Sequence, residues 1–266
     1  MRKSLILIIL ILIARVALAQ DIFTVVKVNG NIIVERTGSP LNTGSSFAQN
    51  ENLLFKVPDS RALVSNPKRG RLLLTSQNFA EFRSSKSNYL PPASKIAMRA
   101  LNPGSSSDAL KVRFDGAVAI LDRNRILIDT MTFPMAARKY FYLTYSYDNR
   151  TINKKLDFKK DTLIINRNEL LTVGGKIIDG TGINQIDLMY IKEGVTNGLT
   201  RISTFKPVFP DNTILTTEVG IILDQMELNP YNDKLREVSS FLNEFYGKVD
   251  DNTVKIWLST AFSIKP

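Results

Sequence analysis

Residues 199–226, Leu-Thr-Arg-Ile-Ser-Thr-Phe-Lys-Pro-Val-Phe-Pro-Asp-Asn-Thr-Ile-Leu-Thr-Thr-Glu-Val-Gly-Ile-Ile-Leu-Asp-Gln-Met, change hydrophobic period in the middle. The first part, 199–205, reads as a strand entered from an Asn197-Gly198 turn, which fits a tight hairpin with the run before it. In the second part Val219, Ile222, Leu223 and Met226 recur at helical spacing, with Pro230 as a stop. A second helix carries Leu235, Val238, Leu242 and Phe245, with Asn232 or Asp233 as cap and Gly247 as stop. A third, capped near Asp251 or Asn252, aligns Val254, Trp257, Leu258 and Ala261. Strands followed by helices predict an α+β fold.

Upstream the chain is rich in strands. The expected strands are 110–114, 117–121, 125–128, 140–147, 162–165 and 185–191. Turn signals separate them at Asp115-Gly116, Asp148-Asn149, Gly174-Gly175 and Asp179-Gly180-Thr181-Gly182. Before these lies a stretch of linker chemistry, with Pro91-Pro92 and Asn102-Pro103-Gly104 followed by serines. A short helix over 96–101 is expected inside it. The predicted organisation is therefore a small all-β domain (21–76), barrel- or sandwich-like, a linker (77–107), and a larger β-rich domain (108–266) ending in helices.

In the first domain, Val25, Val26 and Val28 lead into Asn29-Gly30, a strong hairpin signal, and Ile32, Ile33 and Val34 continue beyond it. The spacing Val28-x-Gly30-x-Ile32-x-Val34, then Gly38, Leu41, Gly44, Leu53-x-Phe55, Ala62-x-Val64 and Gly70-x-Leu72-x-Leu74, resembles the FecR-type β domain over 22–76, about a fifth of the chain. The sequence departs from that pattern at Asn50-Glu51-Asn52, where Gly-Asp is usual. It departs again at Pro67-Lys68-Arg69-Gly70, which stands for an Asp-Gly turn. The resemblance implies a β-rich scaffold for protein contacts or ligand sensing rather than a catalyst.

The N-terminus has the order of an export signal. Arg2 and Lys3 precede an apolar run over 5–14, and Ala17-Leu18-Ala19 offers small side chains for cleavage. Arg15 interrupts the run before the ~20 residues that a spanning helix needs. The expectation is a 1–19 signal, a periplasmic or secreted mature chain, and no integral membrane span. Formal charge is +10; Arg2, Lys3 and Arg15 leave with the signal, so the mature chain carries about +7. That excess suits an envelope protein or anionic envelope polymer as partner. After export, nucleic acid is not expected. Lys68, Arg69 and Arg71, around one turn, are the candidate contacts for an anionic partner.

The chain contains neither Cys nor His. Disulfides, thiolate metal sites, Cys nucleophiles, Ser-His-Asp hydrolysis and His-based zinc sites are excluded. No cofactor or metal is expected, and no catalytic residues are assigned. Ser65-x-x-Lys68 and Ser203-x-x-Lys206 match a Ser-Lys pattern, but neither sits at the start of a helix. Carboxylate-pair hydrolysis would draw on Glu169, Asp187, Glu193, Asp211 or Glu218. The densest aromatic segment supplies Tyr140, Tyr142, Tyr145 and Tyr147 as a candidate stacking platform for a sugar. The leading reading is an exported non-enzymatic envelope-associated interaction or scaffold protein. A carbohydrate-binding module on the tyrosine strand and a carboxylate hydrolase are the alternatives.

Overall fold

A computed structural model of the chain describes residues 21–84 and 107–265. The expected signal (1–19) and the expected helix at 96–101 lie outside the described residues. The fold is α+β and β-rich, with helices at the C-terminal end. Two compact units are distinguished, one holding residues 21–84 with 216–227, the other 107–215 with 228–265.

The first unit contains β1 (Ile22–Asn29), β2 (Ile32–Val34), β3 (Ser39–Pro40), β4 (Ser46–Ala48), β5 (Leu53–Phe55), β6 (Arg61–Asn66), β7 (Gly70–Thr75) and a short helix, α1 (Phe79–Arg83). They form two antiparallel sheets, ordered β4-β1-β6-β7 and β3-β2-β5. One face of the larger sheet supplies Phe23, Val25, Ala62, Val64, Leu72 and Leu74 to a core shared with Ile32, Leu41 and Leu53. Phe82 of α1 is buried in the same core, with its ring 4.9 Å from Phe23. The β domain therefore uses a helix beyond the expected boundary at 76.

Asn29-Gly30 does not make a hairpin. β1 pairs with β4 and β6, whereas β2 pairs with β3 and β5, so the chain changes sheets at this corner. Gly30 has φ +83°, and a Cβ there would lie 2.6 Å from Ser60 Oγ and 2.9 Å from Ser60 Cα. The Ser60 hydroxyl ties the corner down by accepting from Asn31 N–H at 3.0 Å and reaching Asn31 C=O at 3.1 Å. Positive φ, which the sequence signal detects, serves a corner as well as a hairpin.

The second face of the β1–β6–β7 sheet is also buried. Lys27 and Leu63 are cross-strand partners there, as are Ser65 and Arg71 one step of the pleat further along. Lys27 Nζ lies 2.8 Å from Glu218 Oε1, and the Ser65 hydroxyl bonds to the Gln225 side chain. Both partners come from the helix Asn212–Gln225, whose residues from 216 onward belong to this unit. The chain thus returns to its first strand with a helical segment from far downstream.

The second unit begins with α2 (Ser107–Arg113), followed by β8 (Gly116–Ala119), β9 (Arg123–Leu127), β10 (Lys139–Tyr147), β11 (Arg150–Lys155), β12 (Asp157–Lys159) and β13 (Thr162–Asn166). Then come α3 (Arg167–Leu171), β14 (Thr172–Val173), β15 (Lys176–Ile177), β16 (Ile186–Lys192), β17 (Leu199–Val208) and α4, the helix Asn212–Gln225, of which only residues 212–215 belong to this unit. α5 (Tyr231–Phe245) and α6 (Asp251–Phe262) complete it. A five-stranded sheet is ordered β11-β10-β16-β17-β8, antiparallel except for the β17–β8 pair. A three-stranded sheet is ordered β12-β13-β9. The core lies between the inner face of the large sheet (Phe141, Leu143, Ile186, Leu188) and Ile126, Leu163, Ile165, Leu170 and Leu110.

Residues 110–114 were expected as a strand and form the end of a helix instead. Leu110 and Phe114 are both buried, four residues apart, and Phe114 N–H donates to Leu110 C=O at 3.0 Å. The Lys111-Val112-Arg113 sequence imitates alternation, but Val112 is exposed. Asp148-Asn149 forms a two-residue turn with φ +50° and +56°, closing β10 on β11. β16 and β17 do pair, although through a six-residue connection (193–198) rather than a tight turn. The turn signal Asp179-Gly180-Thr181-Gly182 forms a 3-10 turn, Gly180–Gly182, between β15 and β16. Helix starts shift slightly, with Pro230 preceding α5 and Asp250 capping α6 by accepting from Asn252 N–H at 2.9 Å.

Candidate functional site

Strand alternation decides what β10 can present. Phe141, Leu143 and Tyr145 point inward and are buried, and Tyr147 packs against the same core. Tyr140, Tyr142, Thr144 and Ser146 occupy the outer face. The four tyrosines therefore divide two and two, and they do not make one platform. The Tyr145 hydroxyl donates to Leu170 C=O at 2.5 Å, and burial pushes its pKa up to about 12.

The outer pair is half-buried but not coplanar: the ring centroids of Tyr140 and Tyr142 are 6.4 Å apart, with planes at 55°. Lys155 Nζ sits 3.8 Å from the Tyr140 centroid, so one face of that ring is taken by an ammonium. The Tyr140 hydroxyl donates to Glu193 Oε1 at 2.9 Å, and this bond holds the phenol above its ordinary pKa. Of the outer pair, Tyr142 is the ring that makes no hydrogen bond or cation–π contact among the described residues.

Neighbouring strands extend this outer face in register. Opposite Tyr142 stand Lys155 on β11 and Met189 on β16; opposite Thr144 stand Asn153 and Asp187; opposite Ser146 stands Thr151. Thr204 on β17 faces Asp187. The Thr144 hydroxyl meets Asn153 Oδ1 at 2.7 Å, and the Thr204 hydroxyl donates to Asp187 Oδ1 at 2.5 Å. Arg201 stands 3.9 Å from Asp187 Oδ2. Past this row the face opens into a groove of about 300 Å³ between Ser146, Thr151, Asp187 and the loop residues Asn184 and Gln185.

That loop is set by the 3-10 turn before it. Asp179 Oδ2 accepts from the Thr181 hydroxyl at 2.6 Å and Oδ1 accepts from Thr181 N–H at 3.0 Å. These bonds, the hydroxyl foremost, hold the Asp179 carboxyl below its ordinary pKa. Ile183 is buried directly after the turn, which leaves Asn184 and Gln185 exposed at the mouth of the groove.

The basic trio from the sequence does not form one surface. Lys68 is exposed on the β6–β7 turn, where Asn66 Oδ1 accepts from both Lys68 N–H and Arg69 N–H. Arg69 is paired with Asp21 at 2.5 Å. Arg71 is buried, because it is the cross-strand partner of Ser65 on the face that meets Gln225. It cannot reach a surface partner.

The five carboxylates considered for hydrolysis are dispersed over structural contacts. Glu169 accepts from Asn166, Asp187 from Thr204 and Glu193 from Tyr140. Asp211 caps α4 by accepting from Thr213 and Ile214 N–H, and Glu218 is bound to Lys27. The hydroxyls of both Ser-Lys pairs are likewise engaged, Ser65 with Gln225 and Ser203 with Phe114 C=O at 2.5 Å. Asp250, whose pKa is raised chiefly by burial, is paired with Arg113 at 3.0 Å and serves as a helix cap. Among the described residues no group of three or more acids is placed to hold a metal ion, and no helix is long and apolar enough to cross a membrane.

Sequence reasoning missed the groove. Its legible half was the alternation of Thr144 and Ser146 with buried Leu143 and Tyr145; its other half, Asn184-Gln185, follows a turn whose direction no spacing encodes. Comparison with protein-family models, with curated proteins and with solved structures finds no match to this chain.

Proposed function

We propose that the mature chain is an exported, non-enzymatic interaction or scaffold protein of the cell envelope, and that it binds through the outer face of the five-stranded sheet. The observation that carries this reading is the mixed character of that face. Tyr140, Tyr142, Met189 and Ile191 are only half-buried, and Lys155, Arg201 and Lys206 lie on the same side. Amphipathic, cation-bearing faces of this kind suit a protein or an anionic polymer. The engagement of all five candidate carboxylates in capping, pairing or hydroxyl bonds also favours binding over hydrolysis. The FecR-type pattern of 22–76 fits the same reading, as does the sequence of the first nineteen residues.

The test is site-specific photocrosslinking in an envelope extract. A photoreactive phenylalanine analogue is placed at Tyr142, at Met189, and at exposed Lys159 on the other sheet. The expected result is one recurring adduct from positions 142 and 189 that is missing from 159. Equal labelling at all three positions, or none above background, would remove the reading.

A further inference from the structure

We propose that the groove bounded by Ser146, Thr151, Asn184, Gln185 and Asp187 binds a neutral, hydroxyl-rich ligand, a segment of uncharged glycan. The inference rests on the reading of the chain as a binding protein, and it assigns a site and ligand chemistry which that reading leaves open.

Hydrogen-bonding capacity comes first. The Ser146 and Thr151 hydroxyls and the Asn184 and Gln185 carboxamides line the groove and bond to no other side chain or backbone group among the described residues. Each hydroxyl donates and accepts, and each carboxamide offers two donors and an acceptor. Asp187 adds a carboxylate that a Thr204 hydroxyl already orients, with an oxygen left to accept from a ligand. A set that mixes donors and acceptors within one small concavity matches neighbouring hydroxyls of a sugar, which also donate and accept.

Charge and backbone then favour this ligand over others. Among the described residues Asp187 is the one charged residue lining the groove, and Arg201 lies 3.9 Å from its Oδ2, so the site carries no excess charge that would select an ionic chain. A peptide read by strand addition needs a free sheet edge. β10 is paired with β11 as far as Tyr147 and with β16 as far as Thr144, so on the β16 side its ladder is open only beside Tyr145, Ser146 and Tyr147, a shorter run than an added strand usually spans. Volume agrees as well, since about 300 Å³ stands at the lower end of small-ligand pockets and takes a sugar ring. Tyr142, one step of the pleat beyond Thr144 on the same face, offers a ring against which a second sugar can stack.

The experiment is an amide-resolved NMR titration of the full mature chain. The probes are cellotetraose, maltotetraose and tetra-N-acetylchitotetraose, with tetragalacturonate as the anionic control. At least one neutral tetrasaccharide is expected to shift Thr144, Ser146, Thr151, Asn184, Gln185 and Asp187 with a Kd of about 1 mM. The variant Asn184→Ala/Gln185→Ala, on exposed loop positions, should weaken that binding roughly tenfold with an unchanged Tm. Asp187→Asn should weaken it also. No groove shifts with any neutral probe at about 10 mM, shifts centred elsewhere, undiminished binding by the loop variant, or stronger binding of tetragalacturonate would each overturn the proposal. A chain that crosslinks through Tyr142 and Met189 yet binds no tetrasaccharide would overturn this inference and leave the preceding one standing.

Discussion

Removing one partner of the Lys27–Glu218 pair should destabilise the first unit far more than removing both. The side chains are 14% and 2% exposed, and the Nζ–Oε1 distance is 2.8 Å. At an effective dielectric of about 20, two unit charges so placed attract by roughly 6 kcal/mol before desolvation is counted. Most of that is offset by taking both charges out of water, so the net worth of the pair is small. Breaking a buried pair takes from the remaining charge the partner 2.8 Å away and typically costs about 3–5 kcal/mol. Because Lys27 keeps a little solvent, Lys27→Met should cost about 3 kcal/mol and Glu218→Leu about the same. The double variant should lie within about 1 kcal/mol of the parent. Urea unfolding followed by far-UV circular dichroism, with the midpoint and slope compared across the four proteins, gives the coupling directly. Single variants within about 0.5 kcal/mol of the parent, or a double variant equal to the sum of the singles, would refute the view that this pair is buried and mutually dependent.

Three further outcomes follow from geometry already described. Gly30→Ala should lose at least about 2 kcal/mol, since φ is +83° and the new Cβ would strike Ser60 backbone as well as its hydroxyl; chemical denaturation measures it. Tyr145→Phe should lower stability by about 1–3 kcal/mol by leaving Leu170 C=O without its donor, and ultraviolet titration of the parent should show one phenol still protonated until about pH 12. Asp179 has a depressed folded-state pKa, so its contribution is present above the unfolded value of 3.8 and is lost as pH falls through the folded value. Carboxyl-carbon NMR should find it titrating below ordinary aspartates, and Thr181→Ala should bring it back toward them.

How far the sequence reaches is clearest strand by strand. β10, β13, β16 and β17 were legible because a buried face alternates with an exposed one, as Phe141, Leu143 and Tyr145 do against Tyr140, Tyr142 and Thr144. β11 was missed because an edge strand of sequence Arg-Thr-Ile-Asn-Lys-Lys carries little apolar signal. The same alternation, applied to numbering alone, separates Tyr140 and Tyr142 from Tyr145 and Tyr147, whereas placing Arg71 on the face of Ser65 needs the pairing register of two strands as well. Gly30 announced a positive φ without saying whether the chain would double back or turn a corner. The helix 212–225 was legible as a helix, but nothing in its period points to Lys27 and Ser65. Pairing across 191 residues is a property of the folded chain, which local spacing cannot carry.

That distance governs the order in which the protein can be completed. Synthesis proceeds from the N-terminus, so the sheet ending at Thr75 leaves the ribosome well before Glu218 does. At roughly 5–20 residues per second, the gap lasts on the order of 10–30 s. Throughout it, Leu63, Ser65 and the Lys27 ammonium lack the helical segment that meets their face. Closing a loop of this length carries about 4–5 kcal/mol of chain entropy, so the segment docks late and only after its own helix exists. Until then one face of the sheet, with Leu63 beside Lys27, Ser65 and Arg71, stays uncovered. If the chain is exported unfolded, as the proposed function would require, such a delay is an advantage, since the N-terminal unit cannot lock until nearly all of the polypeptide has been made.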